Sequence, residues 1–82
     1  MYTDGMRKAV RSLDSHKPAG FGVSIRESVV EGMSFLTVVI DPLALTKMSV
    51  DDKLKAAEYI ARIKFALEDN GAIVQLVREA LE

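Results

Sequence analysis

Apolar and polar positions change period several times along this chain, and each change marks an element. Over residues 4–13, Met6, Ala9, Val10 and Leu13 fall on one helical face and Arg7, Lys8 and Arg11 on the other, which predicts a short amphipathic helix. DSHKPAG, 14–20, reads as a loop closed by Pro18 and Gly20. Residues 21–30, FGVSIRESVV, alternate with period two, as a strand with one buried face should. The next stretch, MSFLTVVIDP at 33–42, is apolar at almost every position and stops at Pro42, which has no N–H to give a ladder. The two strands predict an antiparallel β-hairpin.

Two hairpin registers compete. A two-residue turn at Glu31-Gly32 pairs Ile25 with Val38 and Val23 with Ile40, placing Val23, Ile25, Leu36, Val38 and Ile40 on the core face and Phe35 and Val39 on the back. It requires Glu31 to take a positive φ. A three-residue loop with Gly32 in a bulge is easier on the turn but sends Leu36, Val38 and Ile40 to the back. Burial favours the first, since each misplaced Leu, Val or Ile costs about 1.5–3 kcal/mol. In either register the second strand keeps large apolar groups on its back face, and a lone hairpin is marginal. A second copy of the chain is the expected cover.

Residues 43–48 connect to SVDD, where Ser49 is an N-cap and Asp51 and Asp52 lie in the first turn of a helix expected over Val50–Glu68. Consecutive carboxylates behind a serine read as capping rather than as an acid/base pair. Asp69-Asn70-Gly71 ends the helix. The helix carries two apolar seams, one of Val50, Leu54, Ala57, Ala61 and Phe65, the other of Ala56, Ile60, Ile63 and Leu67. One seam suits the sheet, and the other needs a second helix or another chain. AIVQLVREAL, 72–81, predicts a final helix with Ile73, Leu76, Val77 and Ala80 on one face. The expectation is therefore one α+β domain over residues 1–82, in the order α-β-β-α-α, with an antiparallel hairpin packed on a long helix.

Composition narrows the function. A chain of 82 residues buries only about 60–65% of its unfolded surface, so its stability is slender unless something adds to it. Without cysteine it has no disulfide, thiolate metal site or thiol nucleophile, which fits a reducing cytoplasm. Eleven basic and twelve acidic residues leave no charge excess to argue for nucleic acid or a membrane surface. The N-terminus has no signal-peptide core, and the longest apolar run is too short to span a bilayer. His16 beside Ser15 and Asp14 lacks the spacing of a nucleophile and its base. No phosphate-cradling glycine motif and no spaced ligand set for a metal occurs. The expectation is a non-enzymatic protein without a cofactor. Arg7, Lys8, Arg11 and Lys17 form the one basic patch, a candidate for an anion or an acidic partner. Asp69-Asn70-Gly71 between helical patterns is no DNA-reading helix-turn-helix, because the segment after it holds a single base, Arg78.

AGFGVSI, VVIDPLAL and DDKLKAAEYIARI together resemble the YbaB-like nucleoid-associated proteins over roughly half the chain. That resemblance implies a dimer that binds DNA. The long N-terminal helix of that family has no counterpart here. The residues themselves favour a small interaction module of accessory or inhibitory type. It is expected to associate with itself, as a dimer, and with another protein, through Phe35, Leu36, Val38, Val39, Ile40, Ile60, Ile63 and Leu67. Nucleic-acid association through the basic helix, or an anionic ligand held between subunits, are the alternatives.

Overall fold

The structure, a computed structural model, describes residues 2–79. Its elements are α1 (Asp4–Arg11), β1 (Val23–Val30), β2 (Met33–Ile40), α2 (Pro42–Thr46), α3 (Val50–Asp69) and β3 (Val74–Arg78). A single 3-10 turn at Asp14–His16 follows α1. The first five elements run α-β-β-α-α, and the class is α+β, with the hairpin packed on the long helix.

Each helix start has a chemical cause. Thr3 accepts from the Met6 N–H at 3.2 Å, Ser49 accepts from the Asp52 N–H at 3.2 Å, and Asp41 accepts from the Leu43 N–H at 3.0 Å. These oxygens satisfy donors that the first turn leaves without partners. Asp51 and Asp52 occupy the first turn of α3, where the helix dipole favours them. Gly71, at φ 90°, takes the left-handed position after the helix and lets the chain reverse.

The hairpin has the two-residue register. Val23 pairs with Ile40, Ile25 with Val38, and Val30 with Met33. Glu31 (φ 53°) and Gly32 (φ 81°) both take positive φ, as a type I′ turn demands. Burial has outweighed turn preference, and Glu31 carries the strain. Replacing Glu31 with asparagine, which tolerates this conformation, is expected to raise stability by roughly 0.5–1 kcal/mol. A urea midpoint that stays put or falls would show that the glutamate is not strained.

The segment expected as a final helix is a strand instead. β3 lies beside β2 and parallel to it, with Leu36 next to Val74 and Val39 next to Val77. Ile73, Val74, Leu76 and Val77 follow a helical stripe more closely than a strand alternation, but over so short a run the period is a weak guide and the tertiary setting overrides it. The fold decides it. A chain leaving β2 through α3 returns naturally to a parallel place beside β2, as in a βαβ unit. Ala80 and Leu81, also assigned to that helix, lie outside the described residues.

The third strand explains why β2 does not alternate. In the order β1-β2-β3 it is the central strand, and a central strand with a parallel neighbour is buried on both sides. Leu36, Val38 and Ile40 enter the core with Met6, Phe21, Ala56, Tyr59, Ile63 and Leu67. On the back, Val39 is only 1% exposed, lying in register between Ser24 and Val77. Arg26 of β1 meets Glu79, just past β3, at 2.7 Å. Because Arg26 is in register with Thr37 on that face, the ion pair passes over β2. The chain itself thus shields the strand that a second copy was expected to cover.

Candidate interaction surfaces

Most side chains expected to form a self-association surface lie inside the chain. Leu36, Val38, Val39, Ile40, Ile63 and Leu67 are buried. All of these but Val39 belong to the core cluster, and Val39 lies between the neighbouring strands on the sheet's back. Only Phe35, on the sheet's back, and Ile60, beside α3's buried stripe, are partly exposed. The sequence pattern found two helical seams, and the bulkier one, Ile60, Ile63 and Leu67, went to the sheet.

The other seam faces outward. Val50 is 74% exposed, Leu54 66% and Phe65 62%, and Ala57 and Ala61 lie exposed between them. The spacing of four, three, four and four residues makes a continuous stripe down α3, close to the heptad seam by which helices pair. Its buried stripe, Ala56, Tyr59, Ile63 and Leu67, faces the sheet and α1. Tyr59 meets Phe21 edge-on, with ring centroids 6.2 Å apart. Burial of Tyr59 pushes its phenol above the usual tyrosine pKa, an effect reinforced by the carboxylate of Asp14.

Charges flank the exposed stripe asymmetrically. Lys53 lies on one side and Asp51 and Glu58 on the other. Glu58 accepts from Arg62 at 2.7 Å, and this guanidinium holds the Glu58 carboxyl below its ordinary pKa.

A second surface opens between α3 and β3. On the helix side of β3, Val74 packs against the core, whereas Leu76 and Arg78 are left exposed. Two adjoining hollows of about 320 and 440 Å³ share Ile40, Ala57, Ile60 and Arg78. The larger is also lined by Leu76, Lys64 and Phe65, the smaller by Lys53 and Leu45. The floor is apolar, the charged lining residues are all cations, and none of them has a carboxylate partner among the described residues.

The basic patch is present but loosely arranged. Arg7, Lys8, Arg11 and Lys17 are all exposed. Arg7 stacks on the Tyr2 ring at 4.6 Å, which occupies one face of its guanidinium. His16 lies exposed in the 3-10 turn, and among the described residues no hydrogen bond joins it to Ser15. No group of metal-ligating side chains occurs among the described residues, nor is any described helix long and apolar enough to cross a membrane.

Compared with known proteins, the chain matches no family model, no curated protein and no solved structure, so nothing extends the resemblance to the YbaB-like family beyond its short segments.

Proposed function

We propose that this protein is a small, non-enzymatic interaction module that pairs with a second copy of itself through α3. The observation that carries the reading is the outward stripe of Val50, Leu54, Ala57, Ala61 and Phe65. A helix with one apolar stripe on its sheet and another on its far side has room for a second helix. The alanines let two backbones approach closely.

Charge selects the orientation. In a parallel pair, a residue on one flank meets the residue five positions later on the partner's opposite flank. Lys53 then faces Glu58 of the partner subunit, and Ile60 faces Phe65 of the partner subunit. Both pairs are complementary. An antiparallel pair would set the acidic flank of Asp51 and Glu58 against the same flank of the partner, like charge to like.

Light scattering should return twice the mass of one chain at micromolar concentration. A Ala57→Cys variant, in a protein with no cysteine of its own, should form an intersubunit disulfide on mild oxidation, because a parallel pair brings the two positions together. Monomeric mass across that range would remove the reading. A dimer that resists this cross-link would remove the parallel arrangement.

A further inference from the structure

β3 ends the sheet, and its outer edge is unpaired among the described residues. Two hydrogen bonds fix how its backbone is turned. The Ile73 carbonyl accepts from the Leu36 N–H at 2.8 Å, and the Glu79 N–H donates to the Ile40 carbonyl at 3.0 Å. In a parallel ladder, alternate residues of a strand turn both N–H and C=O to the same neighbour. The odd-numbered residues therefore face β2, and Val74, Leu76 and Arg78 present theirs outward. Neither a proline nor a bulge interrupts the strand.

The side chains on this edge also have a sign. Leu76 and Arg78 turn toward the helix side of the sheet, where they line the larger hollow with Lys64. Arg78 and Lys64 have no carboxylate partner among the described residues. We infer that the edge of β3 takes an extended segment of another protein as a fourth strand, with an apolar side chain beside Leu76 and an acidic one beside Arg78 and Lys64. Backbone bonds to Val74, Leu76 and Arg78 supply the attachment. The two cations select the segment, as in other cases of strand addition where pockets for alternate side chains give specificity. The hollow is also lined by Ala57, Ala61 and Phe65 of the α3 stripe, but the backbone bonds that attach the segment belong to β3 alone, so the two readings are tested by different variants.

The test uses two labelled synthetic peptides of alternating threonine and valine, one with glutamate and one with lysine at the position meant for Arg78, followed by fluorescence anisotropy. The glutamate peptide should bind about fivefold to tenfold more tightly at low salt, the gain from turning one exposed repulsion into an attraction. Arg78→Glu should reverse the preference. Leu76→Pro removes an outward N–H but no bond to β2, so binding should be lost while the circular dichroism spectrum is kept; Leu76→Ala, which retains the N–H, should still bind. Equal affinity for the two peptides, or undiminished binding to Leu76→Pro, would overturn the inference. So would a loss of dimer mass in Leu76→Pro, since that would show the edge to be occupied by a second copy.

Discussion

If two copies pair as proposed, replacing Leu54 with aspartate is expected to leave folded monomers. Leu54 lies in the middle of the outward stripe of α3 and is 66% exposed in the single chain. The substitution removes nothing from the core, so the thermal midpoint of the isolated subunit should change little. In a two-fold pair the loss is counted twice. Burying one leucine is worth about 1.5–3 kcal/mol, so two lost contacts weaken association on the order of a thousandfold before the cost of desolvating two carboxylates. Sedimentation velocity reads this directly. A variant that remained dimeric with an unchanged dissociation constant would show that pairing, if present, does not use this stripe.

Ile63→Ala is expected to act in the opposite way, on the fold and not on the pairing. Ile63 is fully buried beneath the helix, among Leu36, Val38 and Leu67. Cutting it to alanine removes the transfer energy of the lost carbons and leaves a cavity, costing about 3–4 kcal/mol. A chain of this length has roughly 4–12 kcal/mol of stability in total. The variant should therefore unfold at a much lower urea concentration, with Ile63→Val costing only about 1 kcal/mol. A small loss at Ile63→Ala, comparable to that of Ile63→Val, would mean that the helix does not pack on the sheet through this stripe.

The contrast between these two residues shows how far the sequence could be read. The existence of α3, its Ser49 cap, its two apolar seams and the hairpin register all followed from local chemistry and from the energy of burial. Which seam meets the sheet did not, because that depends on the orientation of the helix about its axis. Two signals pointed the right way. Ile60, Ile63 and Leu67 have the bulk a core needs, whereas Ala57 and Ala61 do not. Lys53 and Glu58 flank the lighter seam as they would a helix pair. The candidate surface nonetheless included core residues, because an apolar stripe in sequence looks the same buried or bare. β3 was missed for a different reason. With only five residues and no clean alternation of burial, Val74–Arg78 has too short a pattern to distinguish periods of 2 and 3.6, and its state is set by the vacancy beside β2. The same missing strand made the unbroken apolar run of β2 look like an interface when it was a central position in the sheet.

The placement of β3 also sets an order on folding. β1 and β2 are joined by a two-residue turn, and hairpins of this kind close in about 1–10 μs. β3 pairs with a strand some forty residues earlier in the chain, so the entropy of closing that long loop must be met before the pairing forms. The nascent two-stranded hairpin therefore exposes the apolar margin of β2 until β3 arrives, and that interval, not the finished fold, is when this chain is most open to aggregation.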